Sequence, residues 1–206
     1  MGIDKREHII TTAMKLFSEK GFAGTSIRDI ASAAGVNIAM VNYYFGSKEK
    51  LFEAMIEHKT LFTREKLEEI AHDKAKTAIE KINAVIEYYV ERLLSQPNYH
   101  RLIQMELMLK QREEIHNKLI ANFTTNARIV KVIIEQGIRK KQFKKVDAEL
   151  TFTSIVGTIN QTMASEKLSI ETVDGEKNSN PLGNAHFKKR LITHIKQIIH
   201  SHLLSN

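Results

Sequence analysis

The sequence predicts an all-α protein: an N-terminal three-helix head containing a helix-turn-helix, followed by a larger helical domain. Three observations predict it. The 206 residues hold only two prolines, Pro97 and Pro181, amid long stretches of the helix formers Lys, Glu, Leu and Ala, with Ile. Apolar residues recur at three- and four-residue spacing, with no strand-like alternation. And Ser26–Phe52, SIRDIASAAGVNIAMVNYYFGSKEKLF, reads as two short helices with only Gly35-Val36-Asn37 between them.

The first helix is expected over Asp4–Lys20, because Ile9, Ala13, Leu16 and Phe17 make one apolar face. Lys20-Gly21-Phe22 supplies its stop: a cation in the last turn, a glycine able to take positive φ, and an apolar side chain that folds back. The second helix, Ile27–Ala34, opens on a capping box, Ser26 with Asp29. Gly35 ends it and Asn37 caps the third, Ile38–Tyr44. Ser47 caps a fourth helix that begins at Lys48 and runs to about Ile70. Further helices are expected over Lys74–Ser95 (closed by Pro97), Tyr99–Lys110, Glu113–Lys140, Asp147–Lys167 and Ala185–Leu204. Ser169–Asn184 is polar and rich in Gly and Asn, a long and mobile loop by expectation. The head is expected to end at residue 47, leaving 48–206 as the second domain.

Composition narrows the function. The absence of cysteine excludes disulfides and thiolate metal sites. MGIDKREHII lacks the apolar core of a signal peptide, and no run reaches the ~18 apolar residues of a membrane span. A cytoplasmic protein with no membrane partner is expected. The formal charge of +7 suggests an acidic partner, but its distribution matters. Residues 1–50 carry seven basic and five acidic side chains, residues 101–150 eleven and six. The excess therefore lies away from the helix-turn-helix, and pI alone does not carry a nucleic-acid assignment.

Side-chain inventory carries it instead. A helix-turn-helix can be a mere packing corner. Here Val41 and Phe45, four apart, suffice to anchor the third helix, which leaves Ile38, Ala39, Asn42 and Tyr43 pointing elsewhere. In a DNA major groove Asn bonds adenine N6 and N7, Ala and Ile touch a thymine methyl, and Tyr hydroxyls reach phosphates, so Ile38, Ala39, Asn42 and Tyr43 are expected to read bases or their near surroundings and Tyr44 to hold a phosphate. Thr25, Ser26 and Arg28 present hydroxyls, free N–H groups and a guanidinium at the start of the second helix, which is phosphate-binding chemistry. Lys48 sits unfavourably at a helix N-terminus, and an external anion would resolve the conflict. With the cap Asn37, these residues form the candidate DNA-binding set.

Gly24-Thr25-Ser26, Ile30-Ala31, Ala34-Gly35-Val36 and Tyr44-Phe45-Gly46-Ser47-Lys48-Glu49-Lys50-Leu51 fall at fixed offsets over one three-helix unit. In that pattern the chain resembles the tetracycline-repressor (TetR) family of bacterial transcriptional regulators over about residues 5–55. Asn42 stands where the family usually has Tyr, and Asn37-Ile38-Ala39 where it often has Ser-Lys-Gly, so no operator sequence transfers. The resemblance implies a homodimer whose reading helices lie one duplex turn apart, ~34–36 Å, on a pseudo-palindromic double-stranded operator. It also implies a small-molecule effector bound among the remaining helices, and a dimer interface of the last two helices. A repressor released by its effector is the expectation, with the fourth helix as the lever.

Broad apolar stripes mixed with small residues suit the last two helices to such an interface. Leu150, Ile155, Ile159, Met163, Leu191, Ile195, Ile198 and Ile199 are its candidates, against the alternative that they cover the monomer's own core. Tyr88, Tyr89, Met105, Met108 and Phe123 are candidates to line an apolar ligand pocket, although residues of this kind are more often plain core. Gln104, Asn126 and Asn160 are candidate polar handles. The nine histidines show no i, i+4 pair, so no metal is expected. No Gly-rich phosphate loop or G-x-S-x-G appears, so neither a cofactor nor catalysis is expected. The basic run Arg139–Lys145 reads as a helix C-terminus with matching cations. The rivals to a regulator are a helical enzyme using the C-terminal cavity and a protein–protein adaptor.

Overall fold

Asp4 opens α1 (Lys5–Lys20) by accepting from the Arg6 N–H, and Gly21, at φ +74°, closes it by donating to the Phe17 carbonyl. Phe22 folds back and stacks on Phe17, ring centroids 5.6 Å apart. After α2 (Ile27–Ala33), Val36 donates to the Ala31 carbonyl and Gly35, at φ +63°, to Ser32. That Schellman pair turns the chain directly into α3 (Ile38–Phe45). In this computed structural model, which describes residues 4–165, 182 and 184–204, the remaining helices are α4 (Lys48–His72), α5 (Ala78–Ser95), α6 (Pro97–Leu109), α7 (Glu113–Arg139), α8 (Ala148–Ala164) and α9 (Ala185–Leu203).

Some boundaries differ from expectation for identifiable reasons. α5 starts at Ala78, not Lys74, because Thr77 and Glu80 form a capping box: the Glu80 carboxylate accepts from the Thr77 N–H at 2.7 Å. Pro97 opens α6 rather than merely closing α5; at the first helical position its missing N–H costs nothing. The expected end of α8 at Lys167 lies outside the described residues, as does the expected loop over 169–184 except for Leu182 and Asn184. Asn184 caps α9, accepting from His186.

The chain forms two compact units: Met1–Thr63 with Asn98–Phe123, and Arg64–Pro97 with Thr124–Asn206. They do not divide at the expected Lys48. The first half of α4 buries Leu51, Phe52, Met55 and Ile56 in the same core as Ile9, Phe17, Ile30 and Val41, and α6 and α7 add Leu102, Ile103, Ile115 and Leu119 to it. Its centre is an aromatic trio in which Phe52 meets Phe17 and Phe22 edge-on at 5.0 and 5.2 Å. Buried Glu53 receives Lys118 at 2.5 Å and Lys50 at 3.4 Å, and Lys118 also reaches Glu57. Burial pushes the Glu53 carboxyl up, but the two ammonium groups outweigh it and hold it below its ordinary value. Its contribution to stability is therefore present above the ordinary carboxylate range and lost as pH falls through the depressed value. Melting temperature is expected to fall on acidification below about pH 4.5, with a shallower acid limb in Glu53→Gln. Thermal melts of both proteins across pH 3–7 check this; superimposable limbs would remove Glu53 from the account.

In the second unit α5, α8 and α9 pack on one another through Ile82, Ile86, Tyr89, Leu93, Ile155, Ile159, Leu191 and Ile195. Most of the expected dimer face is spent here. Ile155, Ile159, Met163, Leu191, Ile195 and Ile199 are buried in the monomer's own core, and only Leu150 (65% exposed) and Ile198 remain outside. No described helix is long and apolar enough to cross a membrane.

Candidate nucleic-acid interface

The third helix has two chemically distinct sides. Val41 and Phe45 point inward and are buried, whereas Ile38, Ala39, Asn42 and Tyr43 share the outer face, with Tyr43 85% exposed. Asn37 fixes the start of the helix, its Oδ1 accepting from the Met40 N–H at 2.7 Å. Gly46, at φ +77°, ends it by donating to the Asn42 carbonyl. Tyr44 is partly exposed and edges against Tyr43 at 5.4 Å, so the two hydroxyl-bearing rings brace one another. Nothing in the head's own packing requires this outer group.

The flanking residues divide. Arg28 is exposed on the first turn of α2. Ser26 is exposed, but its Oγ–H donates to the Asp29 carboxylate at 2.6 Å and its N–H at 2.9 Å, so both donors serve the cap. These bonds hold the Asp29 carboxyl below its usual value. Thr25 corrects the expectation of a surface phosphate ligand. It is 1% exposed, and its hydroxyl donates to the carbonyls of Gly21 and Leu16 at 2.8 and 3.2 Å, tying the α1–α2 turn. A threonine four residues beyond a helix stop could have signalled that role. Lys48 is half-buried, its Nζ 4.3 Å above the Phe22 ring centroid, so part of the electrostatic conflict at the α4 N-terminus is met internally.

Two residues at this end of the molecule carried no sequence signal. The Arg6 guanidinium lies 5.4 Å over Phe45, at the end of α3, and Arg112 lies 4.0 Å over Phe22. Both pairings join segments distant in the chain.

Residues 9–55 match the model for the N-terminal domain of bacterial regulatory proteins of the tetR family, and residues 75–164 match a tetracycline-repressor-like C-terminal domain. The chain belongs to the TetR family. That is a family of regulators rather than of enzymes. Among its TetR relatives, the transcriptional repressor NicS of Pseudomonas putida is 31% identical over 150 residues, 68% of this chain and 66% of NicS. YttP of Bacillus subtilis, a probable transcriptional regulator, is 45% identical over 56 residues, 27% of each chain. These alignments thus span from about a quarter to just under two thirds of the curated relatives. Among solved TetR-like folds, FadR of Bacillus subtilis, in complex with stearoyl-CoA, is 23% identical with a TM-score of 0.72, over 92% of this chain and 96% of that one. KstR2 of Mycobacterium tuberculosis, a ketosteroid transcriptional regulator, is 16% identical with a TM-score of 0.73, over 100% and 98%.

The pocket candidates fall in two places. Gln104, Met105, Met108 and Phe123 belong to the first unit; Tyr88, Tyr89, Asn126 and Asn160 belong to the second. Met108 is 80% exposed, and Met105 and Phe123 are exposed too, so on this geometry they do not line an enclosed cavity. Tyr89 is buried edge-on against Tyr88 and Phe152, which pushes its phenol pKa up. Asn126 is 6% exposed and its Oδ1 has no hydrogen-bond partner among the described residues; the Nε of Arg64, in the same unit, is likewise buried without one among them.

Proposed function

We propose that this TetR-family protein is a homodimeric, sequence-specific DNA-binding regulator, a repressor released from its operator by a small molecule. The observation that carries the reading is the outer face of α3, where Ile38, Ala39, Asn42 and Tyr43 stand free of the head's core. Residues 1–47, with Lys48 at the start of the linking helix α4, are the DNA-contacting part, and the rest of 48–206 serves the effector and the second copy. Tyr43 and Asn42 read base edges; Arg28, Tyr44 and Lys48 hold phosphates, with the free N–H groups of the α2 N-terminus. The second copy meets the outer sides of α8 and α9, where Leu150 and Ile198 are exposed beside the small Ser154 and Gly157. This replaces the stripe that the monomer's own core consumes. Such a protein acts in the cytoplasm, where its operator is.

Selection of duplexes from a random pool tests the reading. Enrichment of a two-fold-symmetric site is expected, and Asn42→Ala should lose about 1–2 kcal/mol of discrimination at one position per half-site. Selection of nothing beyond bulk DNA would overturn it, and an equal loss on every sequence would deny Asn42 a base contact.

The orphaned Asn126 Oδ1 supports an effector with a polar donor beside an apolar body, since a buried unpaired amide oxygen is costly without one. Release requires only that the effector prefer one arrangement of the helices, and its leverage equals that differential affinity. α4 and α7 both run in sequence from the first unit into the second, so either helix offers a covalent route for the coupling. A panel that includes stearoyl-CoA, the ligand in the Bacillus subtilis FadR complex, is to be screened for release of the selected duplex. Asn126→Leu is expected to keep or raise stability and DNA affinity while weakening the active compound at least tenfold. An undiminished response would take Asn126 out of the site.

A further inference from the structure

We propose that Arg112, in the short turn between α6 and α7, is a positioning residue for DNA binding that sets Lys48 through the ring of Phe22. The inference rests on the DNA-binding reading above. Arg112 and Lys48 share one aromatic ring: the guanidinium carbon lies 4.0 Å and the ammonium nitrogen 4.3 Å from the Phe22 centroid. The ring itself cannot drift, because Phe17 stacks on it and Phe52 meets it edge-on. Arg112 is equally fixed. Buried Glu106 accepts its Nε–H at 3.1 Å and pairs with a terminal nitrogen as well, a two-pronged contact that sets the plane of the guanidinium.

Lys48 differs from its neighbours in having no carboxylate within ion-pair reach among the described residues, whereas Lys50 and Lys118 each have two. What holds its amine is the negative face of the Phe22 ring, and three positive contributions converge there: the α4 N-terminus, Arg112 and Lys48 itself. A charge held by a ring rather than by an acid stays available to a phosphate. The Glu106–Arg112 pair, from a different part of the chain, decides where that ring-bound charge sits. A displacement of the α6–α7 turn therefore reaches Lys48 without any movement of α3.

The test is a double-mutant cycle between Arg112→Gln and Lys48→Ala, read on the best-enriched duplex across a salt series. Lys48→Ala should lower the slope of log affinity against log salt by about 0.9, one phosphate contact. Arg112→Gln should weaken binding three- to tenfold and lower the slope by at least half as much. In the Lys48→Ala background it should have almost no further effect, because its influence passes through Lys48. Phe22→Leu keeps much of the apolar volume, removes the ring face and should reproduce the Arg112→Gln result; it is read in place of Arg112→Gln if that variant shows no cooperative melt. A purely structural role predicts a lower melting temperature with an unchanged slope, and overturns the proposal. A slope loss that adds to that of Lys48→Ala makes Arg112 a phosphate contact in its own right, and also overturns it. If the wild type selects no duplex, the proposed function and this inference fall together; if it does and the cycle shows no coupling, only this inference falls.

Discussion

Phe52→Ala is expected to cost about 3–5 kcal/mol and to abolish selective duplex binding at temperatures where the rest of the chain stays folded. Phe52 is fully buried and touches both Phe17, on α1, and Phe22, in the turn that follows, so one ring ties α4 to the head. Its removal leaves a cavity that two fixed rings cannot refill, and the cavity adds to the lost transfer energy. The Phe22 ring under Lys48 also loses its edge contact. Phe52→Leu, which restores much of the volume, should lose far less of both properties. Denaturant melts followed by far-ultraviolet circular dichroism, paired with duplex binding at each temperature, check the result. A variant that melts with the wild type while losing binding would show that the trio serves DNA geometry rather than stability.

Gly137→Val should destabilise by about 3 kcal/mol, although a substitution for glycine inside a helix ordinarily helps. Gly137 lies in the interior of α7, and a Cβ there would collide with the ring of Phe143. The chain returns on itself just beyond α7: the Gln142 and Phe143 N–H groups both donate to the Gly137 carbonyl, at 2.9 and 3.2 Å, and Lys141 takes φ +57°. That reversal lays Phe143 over Gly137 and into the core of the second unit. Two effects oppose. Better helix propensity is worth a few tenths to about 1 kcal/mol, whereas expelling a buried Phe forfeits about 1.5–3 kcal/mol before any overpacking strain. Expulsion wins. Urea unfolding of the two proteins measures the difference, and an increase in midpoint would mean that the ring finds another seat at no cost.

Helix existence, most helix ends and the two-sidedness of α3 were readable from local pattern. Ser26 with Asp29, Asn37 and Gly35 act within four residues of their partners, so their roles follow from spacing alone. The boundary at Thr77 escaped because a helix former such as Lys74 or Ala75 hides a better cap three residues on. Thr25 escaped for a similar reason: a hydroxyl near a helix start suits a phosphate as well as a carbonyl one turn back, and only its burial decides.

By itself the sequence determined an all-helical chain of the TetR pattern, the caps and stops of the head, and the chemistry offered by the outer side of α3. The tertiary structure decided which partner each apolar stripe meets. It turned Ile155, Ile159, Leu191 and Ile195 toward the monomer's own core, leaving Leu150 and Ile198 outside. It also brought Leu102, Ile103, Ile115 and Leu119 into the head's core and Arg112 onto Phe22. The reason is that periodicity records only that a face leaves water. Burial is non-directional, so the choice of what covers that face belongs to contacts between residues far apart in the chain, which no local spacing encodes.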